Sequence, residues 1–196
     1  MEGRSASSRC HSPERSKLKL MQGVRAADTR VTIAEVIRPN ESNFLGKLFG
    51  GELLAKIDLC AYAASAKHSG TTCVTASFDQ VDFHEPIEVG ELVTLTGQVV
   101  YVGRSSMEVM VSVEAENLKM GIKRHTNTAR VTMVALKDGK PCEVPRLLCE
   151  TREEKIRFLQ GVMRRDSRKR LNQERKAAFE RIEHMSDEEL NEALAS

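Results

Sequence analysis

Asp58 is the residue with the clearest capacity for chemistry. It interrupts an apolar, helix-forming run, Leu53-Leu54-Ala55-Lys56-Ile57-Asp58-Leu59-Cys60-Ala61-Tyr62-Ala63-Ala64. A carboxylate in such a run is costly to bury unless it is paired or hydrogen-bonded. It reads either as a functional carboxylate or as a boundary residue facing water or held in a salt bridge. Gly50 and Gly51 stand where the run opens. A helix N-terminus presents unpaired N–H groups and the positive end of the helix dipole, a ready oxyanion site. Glycine there lets a substrate approach the backbone, although such pairs are also common in turns. Asn43 precedes Gly46 and reads as a turn or capping residue or as a polar member of the same site.

Little else in the chain competes. Cys10, Cys60, Cys73, Cys142 and Cys149 form no CxxC, and Cys60 and Cys73 lie in apolar runs. They read as free thiols in a reducing compartment. His11, His68, His84, His125 and His184 are scattered, with no HExxH, so no metal is implied. There is no P-loop and no GxGxxG, hence neither nucleotide hydrolysis nor a dinucleotide cofactor. A net charge of +2 is too small to imply a polyanion partner for the whole chain. With no Trp and 4% aromatics, stacking on nucleobases is disfavoured. No run of 18 apolar residues exists, so no membrane span is expected.

The elements that position Asp58 follow from periodicity. The helix runs from Gly51 to about His68 and is ended by Ser69-Gly70. Leu53, Leu54, Ile57, Ala61 and Ala64 form a core stripe, with Asp58 about 40° outside it on the side of Gly51, Ser65 and Tyr62. Ala55, Tyr62, Ala63 and Ala66 fill much of the other side, so the helix is expected to be surrounded. A first strand lies within Arg30–Arg38. Period-two patterns then place strands at about 72–83, 91–102 and 107–116, with a loop at Asn117–Lys123 and a last strand through Ala129–Ala135. Val93, Leu95, Val99 and Tyr101 are expected to share one face. In the third of these strands Met107, Val109, Val111, Val113 and Ala115 face inward, while Glu108, Ser112 and Glu114 face outward.

Short connections and segregated helix give an α+β class, a long central helix wrapped by an antiparallel sheet. A sheet around one apolar helix leaves surface and edges uncovered, which argues for a dimer. Residues 1–28 read as a disordered tail, rich in Ser and Arg. They lack a secretory h-region, and Glu2, Glu14 and Asp28 argue against a mitochondrial transit peptide. The folded domain is 29–148, and 149–196 form a charged helical C-terminal extension. Thr151 and Glu154 form a capping box at its start, and Ser186 caps a second short helix. The basic cluster Arg164–Arg170 reads as a solvated face or as a patch for an anionic partner.

The ordered set Asn-x-x-Gly-x-x-x-Gly-Gly, then Asp seven residues after the second Gly, resembles the acyl-CoA thioesterases of the hotdog fold, of the cytosolic acyl-CoA hydrolase type. Val74-Thr75-Ala76-Ser77-Phe78-Asp79-Gln80-Val81-Asp82-Phe83, Pro86, Ser105-Ser106-Met107-Glu108-Val109 and Asp138-Gly139-Lys140-Pro141 are also similar to that family. The resemblance covers about residues 30–160. It implies hydrolysis of acyl-CoA to free fatty acid and CoA, in fatty acid metabolism, with coenzyme A as part of the substrate and no other cofactor. Asp58 would be the nucleophile or the general base, Asn43 would hold the thioester or water, and the amides near Gly50 and Gly51 would polarise the carbonyl. Arg104, Ser105 and Ser106 would contact CoA, or form an ordinary hairpin turn. The family implies a cytoplasmic homo-oligomer, a dimer or a hexameric trimer of dimers, with sites at the dimer interface.

Helix geometry bears on that last point. Gly51 and Asp58 are about 10 Å apart along an axis rising 1.5 Å per residue, whereas reacting groups meet at about 3–3.5 Å. Two antiparallel helices can pair one subunit's helix start with the other's Asp58. Relatives often carry His before the glycine pair; Phe49 here cannot hydrogen-bond, which bears on chain-length preference and rate. A non-catalytic acyl-CoA-binding regulator is the alternative, one with no need of Asp58. A hotdog dehydratase would need a catalytic His, for which only His84 is near.

Overall fold

A computed structural model describes residues 22–83 and 85–195. The chain divides into two units, the first ending at Phe158 and the second comprising Leu159–Ser196. At the centre of the first unit one helix is held in a curled antiparallel sheet. Helix α1 (Gly50–Ser69) stops where Gly70 takes a left-handed φ of 73° and its N–H bonds Ala66 O at 2.8 Å. The strands are β1 (Val24–Arg25), β2 (Val31–Val36), β3 (Thr72–Phe83), β4 (Leu92–Val102), β5 (Ser106–Asn117), β6 (Ile122–Lys137), β7 (Lys140–Pro141) and β8 (Leu147–Leu148). The main sheet has the order β2-β4-β5-β6-β3, antiparallel throughout, with β7 added to β6. Helix α1 therefore joins the two edge strands, crossing the inner face of β4, β5 and β6. This is the architecture the resemblance implies.

Period two does the packing. Val93, Leu95, Val99, Met107, Val109, Val111, Val113, Ala129, Val131 and Ala135 are fully buried against Leu53, Ile57, Cys60, Ala61 and Ala64 of α1. At Gly97, β4 passes close against α1: a methyl there would lie 2.9 Å from Cys60 Sγ and 3.2 Å from Cys60 O.

Several expectations are corrected. The strand expected over Ala129–Ala135 begins at Ile122, and the turn shrinks to residues 118–121, closed by Gly121 N–H to Asn117 O at 2.8 Å. Its polar first half pairs with polar residues of β5, as in Lys123–Glu114 at 2.9 Å. Tyr101 leaves the face of Val93, Leu95 and Val99, because a register shift between Val99 and Tyr101 sets it opposite Glu108. Glu108, expected outward, is buried. Its cross-strand neighbour Tyr101 packs on Phe158, centroids 5.3 Å apart, and that contact covers this end of the outer face.

Residues 1–21 lie outside the described residues. Residues 24–28, assigned to the tail from sequence, are structured: β1 runs parallel to β8, and a 3-10 turn follows at Ala26–Thr29. Thr29 is buried; its Oγ1 donates to Ala26 O at 2.7 Å and accepts from Val99 N–H at 3.0 Å. The helix is not surrounded within one chain: Leu59 and Tyr62 are 58% and 40% exposed.

Helix α2 (Arg152–Glu183) starts with the expected capping box. Glu154 N–H donates to Thr151 Oγ1 at 3.2 Å, and Thr151 N–H to Glu154 Oε2 at 3.0 Å. Helix α3 (Asp187–Ala195) repeats the device, with Glu189 N–H to Ser186 Oγ at 3.3 Å. Within the second unit Arg170–Glu174 and Lys176–Glu180 pair one turn apart at 3.7 Å each, as on a solvated mixed-sign face.

Candidate active site

Asp58 sits on the exposed side of α1, half-buried, and accepts a short hydrogen bond on Oδ1 from Thr75 Oγ1. The two line an open groove of about 620 Å³ with Ala55, Leu59, Tyr62 and Met133. Thr75 is placed by the edge strand β3, whose register against β6 slips just beyond it, between Thr75 and Ser77. Bulges of this kind re-aim side chains beside sites. The sequence reading used Thr75 as part of a strand pattern and gave it no role. A hydroxyl on an alternating strand carries no signal until the fold lays it against the helix carboxylate.

Asn43 lies elsewhere. Its Oδ1 accepts Leu45 N–H at 2.9 Å and Lys47 N–H at 3.2 Å, and its own N–H donates to Lys47 O at 2.7 Å. The turn role and the site role therefore coexist, because the carboxamide N–H groups stay free among the described residues. Asn43, Leu48, Gly50 and Leu53 line a second groove, of about 360 Å³, with Glu85, Pro86 and Ile87 opposite. The N-cap residue Phe49 makes no side-chain hydrogen bond to the helix, so the first-turn amides at Gly50 and Gly51 keep no side-chain cap. The Phe49 ring covers Gly51, where an added methyl would sit 2.5 Å from Cε1. One chain thus brings Asn43 and Gly50 together, and Asp58 with Thr75, but in two separate grooves.

Arg104 and Ser105 form the β4–β5 turn and Ser106 starts β5. Gly103 N–H donates to Ser106 O at 2.7 Å, Ala135 N–H to Ser105 O at 2.9 Å and Val144 N–H to Arg104 O at 3.0 Å. The turn is thereby tied to both neighbours. Ser106 pairs with Val134 and Val134 with Val74, so this turn lies at the Asp58 end of the sheet rather than the Asn43 end.

Behind the Asn43 loop runs an ion network that sequence did not reveal. Lys56 Nζ bridges Glu35 at 2.8 Å and buried Glu41 at 2.7 Å. The Lys56 hydrogen bond, then Arg38 N–H, hold the Glu41 carboxyl down at about 2. Burial works against the Lys56 ammonium, but its bonds to Glu35 and Glu41 outweigh this and raise it. Cys60, Cys73, Cys142 and Cys149 are free, and burial pushes the Cys60 thiol up to about 11. Cys10 and His84 lie outside the described residues. Among the described residues no group of three or more His, Cys, Asp or Glu could hold a metal ion, and no helix is long and apolar enough to cross a membrane.

The family model of the thioesterase superfamily matches residues 45–122. An uncharacterized acyl-CoA thioester hydrolase YkhA of Bacillus subtilis is 40% identical over 143 residues, 72% of this chain and 83% of that protein. The chain belongs to the thioesterase superfamily. Among solved structures of this superfamily, the acyl-CoA hydrolase of Staphylococcus aureus, in complex with butyryl coenzyme A, coenzyme A and coenzyme A disulfide, is 32% identical. That match covers 82% of this chain and 99% of that one, with a TM-score of 0.73. An apo-hexameric acyl-CoA thioesterase is 37% identical over 76% of this chain and 96% of its own, also at 0.73. The Staphylococcus aureus enzyme has also been solved with an Asn, an Asp and a Thr each changed to Ala. Those three positions are 15 and 17 residues apart, the spacing of Asn43, Asp58 and Thr75 in this thioesterase.

Proposed function

We propose that this thioesterase hydrolyses acyl-CoA at sites shared between two copies of the chain. The observation that carries the reading is Asp58: a carboxylate on an apolar helix, oriented by Thr75 and open to a groove. Thr75 occupies Oδ1, which leaves Oδ2 to take a proton from water. The water oxygen bonds to the thioester carbonyl carbon, and uncapped first-turn amides near Gly50 and Gly51 stabilise the oxyanion. The C–S bond then breaks, and the CoA thiolate takes the proton from Asp58 as the acid forms. Asn43 holds the thioester oxygen or the water.

Sharing is supported by the two separate grooves, and a second copy is supported by the exposed Leu59 and Tyr62 and by the outer edge of β3, which pairs with no strand among the described residues. The hexameric relative favours a trimer of dimers. Arg104, Ser105 and Ser106 at the Asp58 end are candidates for holding CoA, which enters as part of the substrate with no separate cofactor. The free thiols favour a reducing, cytoplasmic setting.

The test is thiol release from acyl-CoAs of increasing chain length. The expected outcome is turnover in the wild type and a loss of about 10³-fold or more in Asp58→Asn, with fold and assembly unchanged. Binding without turnover on any chain would favour the non-catalytic regulator. Mixing Asn43→Ala with Asp58→Ala subunits should regain part of the activity; none regained counts against sharing.

A further inference from the structure

We infer that Arg124 is a positioning residue for the substrate groove at the helix start, acting through the segment 85–91 that forms the groove's far wall. The inference rests on the proposed reading of that groove as part of the thioesterase site, and deepens it.

Arg124 stands on β6, remote in sequence from that wall. Its Nη1 donates to Glu91 Oε1 at 2.6 Å, its Nη2 to Glu91 Oε2 at 2.8 Å and to Pro86 O at 2.8 Å, and its Nε pairs with Glu85 at 3.0 Å. One guanidinium therefore spans both ends of the segment. Glu91 is buried, and its Oε2 also accepts Glu88 N–H at 2.9 Å, which closes the turn from inside. Glu85, Pro86 and Ile87 face Asn43, Lys47, Gly50 and Leu53 across the groove.

The two walls are also stitched together. Leu48 N–H donates to Ile87 O at 2.8 Å, Lys47 bridges Glu88 as a strand pair, and their side chains form an ion pair. Lys47 in turn carries the N–H and C=O that hold Asn43. The chain of contacts Arg124, Glu91, Glu88, Lys47, Asn43 is unbroken, and every link is a hydrogen bond or ion pair. A shift of the Arg124 fork therefore moves the far wall and, through Lys47, the Asn43 carboxamide. Such positioning errors are felt steeply where a ligand must be held. A Lys at 124 keeps the charge but cannot bond Glu91 twice and the Pro86 carbonyl at once.

The experiment compares wild type, Arg124→Lys, Glu91→Gln and, as a control ion pair on the same ladder, Lys123→Ala. In the full-length assembled protein, kcat and KM for acyl-CoA are measured beside Kd for a non-hydrolysable acyl-CoA thioether and the melting temperature. Arg124→Lys should raise KM and Kd together by about tenfold and lower kcat by less, because the fork is linked to the groove wall and to Asn43 but not to the base Asp58 or to Thr75. Glu91→Gln should move the same way by less, and Lys123→Ala should move neither. Arg124→Lys and Glu91→Gln variants with KM and Kd within twofold of wild type overturn the inference, whatever their melting temperatures. If Arg124→Lys does not fold, Glu91→Gln decides. A wild type that binds the thioether but releases no thiol removes the hydrolase reading and leaves the clamp to be judged by Kd. A wild type that neither binds nor hydrolyses overturns both.

Discussion

Thr75 donates to Oδ1 of Asp58, and both residues line the same groove. Thr75→Val keeps the branched shape a strand favours and removes only the donor. It should lower kcat by about 10- to 100-fold with little change in KM, while Thr75→Ser should recover most of the rate. Behind the other wall, Glu41 holds its proton far more weakly folded, at about 2, than at its ordinary value of 4.5. Its stabilisation is thus fully present above about pH 4.5 and drains away as pH falls toward 2. It amounts to at most about 3 kcal/mol. Acid titration of stability should show that loss, and Glu41→Gln should flatten it. At Gly97 the issue is space: Gly97→Ala presses on Cys60 and should cost about 1–3 kcal/mol, read from denaturant midpoints.

At the scale of elements, hydrophobic period carried most of the reading. The five apolar residues of β5 and Leu53, Ile57, Ala61 and Ala64 of α1 named their own core faces, whereas Leu54 of the same expected stripe is only half-buried and Cys60 joins the core instead; Ser69-Gly70 marked the helix end. What stayed hidden had no period to show. At the start of β6, Ile122 and Lys123 fall in the expected loop and Arg124-His125-Thr126-Asn127-Thr128 precede the expected strand, because these polar residues show no apolar alternation. Two-residue strands such as β1 and β8 are too short for alternation. Thr75 and Arg124 gain meaning only from contacts 17 and 33 residues away in the chain. The capping boxes, by contrast, are local and were legible. Thr151→Ala should cost about 1 kcal/mol and speed amide exchange in the first turn of α2, with turnover unchanged.

For the whole molecule, the exposed apolar residues beside Asp58 argue that a single copy is incomplete. Leu59→Arg should leave the secondary structure intact by circular dichroism but shift the assembly toward monomer in light scattering, and turnover should fall with it; an active monomer would refute the shared site. One further property follows from how the first unit is closed. The chain enters the body at β1 and leaves after β8, and these two strands lie side by side and parallel, Val24 beside Leu147 and Arg25 beside Leu148. Neighbouring strands are about 4.8 Å apart, so the entry and exit points are a single place on the surface. Tension applied between the segment before Val24 and helix α2 draws the two strands in opposite senses along their length. Their hydrogen bonds are then loaded in shear, side by side with the Phe158 contact on Tyr101 that ties α2 to β4.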